Sequence, residues 1–147
     1  MFLLNNIRDR RYRPEYPDHV GVFFDISDAQ LANAKNSAWN EIKPGDIACV
    51  IRSSRTFDTF YRVEQKLKTD KVNGDGAAHV LIGSVVAKMI DSTGMPIVLK
   101  KFSVKHPLLP KSQFIVGFNI ANLGTALDAL EVKTRDGTTT LGELAPP

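Results

Sequence analysis

Residues 43–52, Lys43-Pro-Gly-Asp-Ile-Ala-Cys-Val-Ile-Arg52, carry the clearest structural signal in the chain. The sequence Pro44-Gly45-Asp46 ends a helix and is typical of a tight turn. The apolar run Ile47–Ile51 that follows has the length and the β-branched content of a buried strand. The single Cys49 lies inside this run, so we expect it to pack in the core rather than to act as a reactive thiol.

Upstream of this turn the sequence predicts one strand and one helix. His19–Ile26 is rich in β-branched and aromatic residues, which indicates a buried strand. Ser27, with Gln30 three residues later, forms a capping-box pattern that marks the start of a helix. Four apolar residues recur behind it at helical spacing and are expected to face the core: Leu31, Ala34, Ala38 and Ile42.

Downstream of the turn the pattern predicts mainly strands. Thr56–Glu64 alternates, with Phe57, Thr59, Tyr61 and Val63 on one face. Polar residues 66–78 contain the turn signal Asn-Gly-Asp-Gly and predict a loop. The longest strand is expected at 79–90, and Gly83 inside it predicts a bulge or a tight bend. The remaining elements are predicted as strands at 97–104 and 113–120, a short helix at 122–130, and a hairpin at 131–141 that turns at Asp136-Gly137.

This order of elements predicts the fold class. Helices that stand apart from a run of short strands favour an α+β fold over a parallel βαβ sheet. We therefore predict a mixed or antiparallel curved sheet, or a partly closed β-barrel, with two flanking helices. The chain has 147 residues, of which 43% are hydrophobic and 24% charged, and this suits a single domain spanning 1–147. Residues 1–18 are expected to form a basic N-terminal arm or loop.

The cellular location is predicted from the N-terminus, the hydropathy pattern and the cysteine count. A signal peptide places positive charge before an apolar stretch of about 7–15 residues. Here the apolar Met1–Leu4 comes first and the arginines follow. The sequence also contains no apolar stretch near the roughly 18 residues of a membrane span. With a single cysteine, the chain is expected to be cytoplasmic and to make no membrane contact.

Three segments resemble the PUA-like superfold and, within it, the EVE and ASCH families. They are the turn Ile42-Lys43-Pro44-Gly45-Asp46 before an apolar strand, the polar strand end Arg52-Ser53-Ser54, and the later strand Val80-Leu81-Ile82-Gly83-Ser84-Val85-Val86. The resemblance covers about residues 19–90. It implies binding of RNA, or of a flipped modified base, in a pocket between the first helix and the barrel, with Trp39 near the end of that helix. The chain departs from the EVE pattern because its first strand lacks a Trp-rich opening and because Thr56–Ala78 separates the two matching strands.

The residues themselves also favour nucleic-acid binding. Residues 52–111 carry eleven basic and five acidic side chains, a net charge of +6 (11 − 5). Within them, Arg52–Arg62 mixes arginines that can neutralise phosphates with rings that can stack on bases, at about 1–3 kcal/mol per base. The arm segment Arg8–Arg13 has the composition of an extension that lies along a phosphate backbone. The alternative for Arg52–Arg62 is a hairpin with core aromatics and solvated arginines, and the alternative for the arm is a terminus that is disordered or held on the surface.

The predicted function is nucleic-acid binding, RNA or DNA, including recognition of a base held out of its stack. The predicted site consists of arginines for the phosphates (Arg10, Arg11, Arg52, Arg55 and Arg62), rings for stacking (Trp39, Phe57 and Tyr61) and hydroxyls for a base edge (Ser53 and Ser54). The second hypothesis is a protein–protein interaction module with an acidic partner, such as a small phage or mobile-element inhibitor of a host factor. The third is a small hydrolase or transferase.

The sequence gives no positive argument for the enzyme hypothesis. The three histidines are widely separated and there is one cysteine, so no metal site is expected. The serines lack a Gly-x-Ser-x-Gly pattern, and the glycine-rich turn at 74–76 does not precede a helix. We therefore predict no cofactor and no catalytic residue. The oligomeric state stays open.

Overall fold

The computed structural model describes residues 1–5, 19–51, 59–69, 78–88, 103–109, 120–124, 130–134 and 137–141. These residues form two β-sheets with a short helical segment. The elements, in chain order, are β1 (Phe2–Asn5), β2 (Val20–Ser27), α1 (Asp28–Leu31), a 3-10 helix (Ala34–Glu41), β3 (Ile47–Ile51), β4 (Thr59–Thr69), β5 (Ala78–Lys88), β6 (Ser103–Lys105), β7 (Ile120–Asn122), β8 (Leu130–Thr134) and β9 (Gly137–Leu141).

The larger sheet is mixed and has six strands in the order β2-β5-β4-β3-β1-β7. β1 and β3 run parallel, and the other neighbours are antiparallel. Among the described strands, β2 and β7 form the two ends of this sheet and do not pair with each other. The sheet is therefore open, so the α+β class is confirmed and the partly closed barrel is not. Strands β6, β8 and β9 form the second, antiparallel sheet.

The helical segment begins where the sequence predicts it. Ser27 caps α1, and its hydroxyl accepts a hydrogen bond from the Gln30 amide while the Gln30 side chain accepts one from the Ser27 amide. The helix then breaks at residues 32–33 and continues as a 3-10 helix with fewer residues per turn. Leu31 and Ala38 pack against the core and Ile42 is buried, as predicted. The prediction for Ala34 is wrong, because the break changes the helical phase and leaves Ala34 exposed.

The central strands are buried on both faces. Phe2 and Leu4 of β1 belong to a core cluster that includes Trp39 of the 3-10 helix. Because strand side chains alternate between faces, Leu3 lies on the opposite face, where the parallel register places it beside Cys49 of β3. Both of these residues are completely buried, which confirms the prediction for Cys49.

The irregularity predicted at Gly83 is confirmed and involves three strands. Gly83 in β5 pairs with Gly21 of β2 and Val63 of β4; the register against β4 shifts directly after this pair, and the register against β2 shifts one pair further along. A Cβ atom at Gly83 would overlap the carbonyl oxygen of Arg62 and would lie 2.9 Å from Cε1 of Phe23. Glycine is therefore needed here because two backbones approach each other too closely for any side chain.

Several predicted elements have different bounds or are wrong. β1 was predicted as part of an arm, and β4 continues through Lys66–Thr69, which was predicted as a loop. The predicted helix at 122–130 is wrong at both ends, because Asn122 ends β7 and Leu130 begins β8. The predicted hairpin at 131–141 is confirmed by the pairing of β8 with β9. Of the strands predicted at 97–104 and 113–120, only residues 103, 104 and 120 are described, and all three are in strands.

Candidate nucleic-acid interface

The parallel pairing of β1 with β3 brings together the two strand ends that precede the arginine-rich segments of the sequence. Asn5, the last residue of β1, is opposite Ile51, the last residue of β3. Parallel strands end at the same edge, and neighbouring strands lie about 4.8 Å apart. Residues 6–18 continue from Asn5 and residues 52–58 continue from Ile51. We call the carboxyl ends of β1 and β3 the arginine edge.

The two segments of sequence that follow β1 and β3 carry a strongly positive net charge. Residues 8–13 contain four arginines and one aspartate, and residues 52–55 contain two arginines, a net of +5 (6 − 1). β5 also ends here, because Lys88 pairs with Thr59 at the start of β4. The fold therefore places side by side the strand ends that precede two basic segments, which are about 40 residues apart in the sequence.

Most of the predicted site residues lie outside the described residues. These are Arg10, Arg11, Arg52, Ser53, Ser54, Arg55 and Phe57. Near these residues the structure describes only Asn5, Ile51 and Thr59, the strand ends that flank their segments. The predicted site residues that it does describe are Trp39, Tyr61 and Arg62, and it does not bring them together at the arginine edge.

Tyr61 lies in the core and has no exposed ring face. Its relative exposure is 0%, and its ring stacks on Phe23 with centroids 4.5 Å apart and planes 2° apart. The next residue, Arg62, is exposed but pairs with Ile47 at the start of β3, away from the arginine edge. The structure therefore does not support the predicted stacking of Tyr61 on a base, and it places Arg62 away from the carboxyl ends of β1 and β3.

Trp39 is also a core residue and contacts a lysine. Its relative exposure is 3%, and its ring lies 6.0 Å from that of Phe24, centroid to centroid. Lys66 places its amine 5.1 Å from the centre of the Trp39 ring and donates hydrogen bonds to the carbonyls of Trp39, at 2.6 Å, and Ile42, at 3.0 Å. Burial lowers the pKa of Lys66 from its ordinary value. Lys66 thus caps the carboxyl end of the 3-10 helix. The burial of the Trp39 ring gives no support to a base-stacking role.

An ionic cluster joins α1 to the β4–β5 hairpin. One carboxylate oxygen of Asp28 lies 2.6 Å from Nε2 of His79, and the other lies 3.3 Å from Nζ of Lys68. The hydrogen bond from His79, followed by that from Lys68, lowers the pKa of Asp28. Within the described part of the chain, no three His, Cys, Asp or Glu side chains are grouped so that they could hold a metal ion. We interpret the cluster as a surface link between the helix and the hairpin.

Asn5, the last residue of β1, was not among the predicted site residues. Its relative exposure is 0%, and among the described residues neither its amide nitrogen nor its amide oxygen has a hydrogen-bond partner. Buried polar side chains almost always have a partner, so this side chain is exceptional. The only signal in the sequence is one polar residue at the end of the apolar run Phe2–Leu4.

Comparison of the chain with models of protein families, with curated proteins and with solved structures finds no match in any of the three. In the part of the chain that the structure describes, no helix is long and apolar enough to span a membrane.

Proposed function

We propose that this protein binds nucleic acid at the arginine edge. The observation that carries the proposal is the parallel register of β1 and β3, which places Asn5 beside Ile51. Two segments that were each predicted to contact phosphates therefore start from neighbouring strands. Both segments can contact one nucleic-acid backbone, because Asn5 and Ile51, from which they continue, are about one strand spacing apart.

The location differs from the pocket that the PUA-like resemblance implies. In that arrangement a base lies between the first helix and the sheet. Here the same space is filled by buried side chains, including Phe24, Trp39 and Ile42. The proposed interface of this nucleic-acid-binding domain, which reads an unstacked base, is therefore the arginine edge and not that pocket.

Electrostatics supports this location. Phosphate binding draws its affinity from arginines and lysines that displace counterions. The segments at the arginine edge supply six arginines within residues 8–13 and 52–55. A flexible single strand suits such a surface better than a rigid duplex, because extruding a base from a duplex costs a few kcal/mol.

Fluorescence anisotropy with short labelled single- and double-stranded oligonucleotides tests the proposal. Titrations at about 50 and about 200 mM salt should show binding that weakens strongly at the higher concentration. The double variants Arg10→Ala/Arg11→Ala and Arg52→Ala/Arg55→Ala should each weaken binding to all sequences alike. Each should also reduce the salt slope by about 2, because each lost phosphate contact contributes about 1.

A matched control removes two positive charges that do not belong to the arginine edge. Lys35 lies on the 3-10 helix and Lys43 in the turn before β3, and both are exposed. The variant Lys35→Ala/Lys43→Ala has the same net charge as either arginine variant and should bind like the wild type. Equal weakening by all three variants would mean that binding follows net charge and that the arginine edge is not the site. A wild-type protein with no affinity at the lower salt would refute nucleic-acid binding and would favour an acidic protein partner.

A further inference from the structure

The larger sheet has two exposed valines on the face opposite its core cluster, which we call the outer face. The register pairs Val20 of β2 with Ser84 of β5, and Val22 with Ile82. These β5 residues lie on the outer face because strand side chains alternate and because Leu81, next to Ile82, belongs to the core cluster. Val20 is 58% exposed and Val22 is 41% exposed, so this end of the outer face presents apolar surface to solvent.

Two opposite charges lie on the outer face at the other side of β5. Arg62 of β4 pairs with Ser84, and the Ser84 hydroxyl donates a hydrogen bond of 3.3 Å to a carboxylate oxygen of Glu64. Arg62 and Glu64 are both exposed. Among the described residues no ion pair involves Arg62. Ser84 therefore has a valine on one neighbouring strand and an arginine and a glutamate on the other.

The exposed part of the outer face is local. At the centre of the sheet Leu3, Cys49 and Phe60 lie on this face as well, because Cys49 pairs with both of the others. All three are 0% exposed. The opening is therefore confined to the corner formed by β2, β5 and the middle of β4. We call it the outer corner, and its exposed side chains are Val20, Val22, Arg62 and Glu64.

We propose that the outer corner binds a second copy of this chain across a two-fold axis. Each of the two outer strands supplies a pair of residues two positions apart, which is two valines on β2 and an arginine followed by a glutamate on β4. A two-fold axis that crosses the strands between these positions reverses their order in the second copy. It places Val20 against Val22 of the second copy and Arg62 against Glu64 of the second copy, and each contact occurs twice.

The charges favour a second copy over an unrelated protein. An interface between identical surfaces must be complementary to itself. The order of charge along β4 is positive and then negative, so the reversed strand of the second copy presents a negative charge to Arg62 and a positive charge to Glu64. Two sheets that pack face to face lie about 10 Å apart with their strands within about 30° of each other. The proposal also gives a role to an exposed arginine that the structure places away from the arginine edge.

Sedimentation equilibrium of the full chain, without nucleic acid, tests the proposal over the micromolar range of concentration, because a small interface gives modest affinity. The wild type should form a dimer and no larger species, since a two-fold contact closes on itself. Arg62→Glu brings two carboxylates together at each charge contact, and Glu64→Arg brings two guanidinium groups together. Each variant should raise the dissociation constant of the dimer by at least about 100-fold, tenfold for each of the two like-charge contacts.

A mixture of the two variants gives the most specific result. Every charge contact between an Arg62→Glu chain and a Glu64→Arg chain joins opposite charges. An equimolar mixture should therefore form heterodimers with about the affinity of the wild-type dimer, although neither variant dimerises well alone. Native mass spectrometry distinguishes these heterodimers by mass. The double variant Arg62→Glu/Glu64→Arg should dimerise like the wild type for the same reason.

Matched controls make the same changes elsewhere. Lys35→Glu and Glu41→Arg alter the charge by the same amounts at exposed positions of the 3-10 helix, and both should dimerise like the wild type. Val22→Lys places a charge in the apolar contact without touching Arg62 or Glu64, and it should weaken the dimer. Its control, Leu108→Lys, changes an apolar residue that is 58% exposed and lies outside the outer corner, and it should not.

Each alternative outcome overturns the proposal. A wild type that stays monomeric at every concentration would show that the outer corner does not bind a second copy, even if another protein binds there. Charge-reversal variants or a Val22→Lys protein that dimerise as well as the wild type would show that the dimer forms elsewhere. A mixture that stays monomeric would refute the contact between Arg62 and Glu64. Because no nucleic acid is present, failure of the dimer leaves the proposed function untouched, and failure of nucleic-acid binding leaves the dimer untouched.

Discussion

The close approach of the backbones at Gly83 makes the substitution Gly83→Ala the sharpest test of the fold. The added methyl group would overlap the carbonyl oxygen of Arg62 and would lie 2.9 Å from Cε1 of Phe23. Favourable carbon contacts are about 3.5–4.0 Å, so the Phe23 ring must move by roughly 0.6 Å or more and the Arg62 carbonyl by more still. The ring cannot move alone, because it stacks on the buried Tyr61.

This clash should cost at least the upper end of the range for an overpacked core, about 3 kcal/mol of the free energy of unfolding. For a protein of this size the corresponding fall in melting temperature is about 10 °C. Thermal unfolding followed by circular dichroism measures it. The matched control is Gly45→Ala, where φ is 96° and an added Cβ meets no described atom within 4 Å. In Gly45→Ala only the left-handed backbone conformation is strained, which should lower the free energy of unfolding by about 1 kcal/mol. A Gly83→Ala protein that melts within about 2 °C of the wild type, or above Gly45→Ala, would refute the predicted backbone contact.

Two further predictions concern the links between the helical segment and the β4–β5 hairpin. Lys66→Met should lower the free energy of unfolding by about 2 kcal/mol, because two carbonyls lose a charged donor. Lys68→Met loses only an exposed ion pair and should lower the free energy of unfolding much less. Urea unfolding followed by the fluorescence of Trp39 measures both changes, and equal losses would contradict the capping role of Lys66. The pKa of Asp28 should lie below its ordinary value of 3.8, so its contribution to stability is present above that pH and lost as the pH falls through the folded-state pKa. A carboxyl NMR titration measures that pKa directly, and an ordinary or raised value would show that the contacts with His79 and Lys68 do not persist in solution.

Local sequence signals predicted those elements whose residues interact mainly with near neighbours. The capping box at Ser27, the turn before Ile47 and the hairpin at 131–141 depend on residues close together in the chain, and all three are confirmed. Such elements can be read from sequence because their stabilising contacts are local.

Elements whose stability comes from distant partners were missed or assigned wrongly. The four residues of β1 carry no period that could distinguish a strand from an arm. They form a central strand because β3 and β7, which are distant in sequence, supply their hydrogen bonds. Residues 66–69 were predicted as a loop from their polarity, yet they pair with the start of β5 and can be polar because that part of β4 is partly exposed.

The candidate site divides in the same way. The sequence by itself identified the arginine-rich segments, because charge and composition are local properties that need no partner. It could not show that Trp39 and Tyr61 are core residues, since an aromatic side chain suits stacking and packing equally until its neighbours are known. Only the tertiary structure placed the ends of β1 and β3 side by side and buried the Asn5 amide where none of the described residues hydrogen-bonds to it. Strand pairing between distant segments fixes both features, because the backbone hydrogen bonds of the sheet, and not the local sequence, determine which strand ends meet.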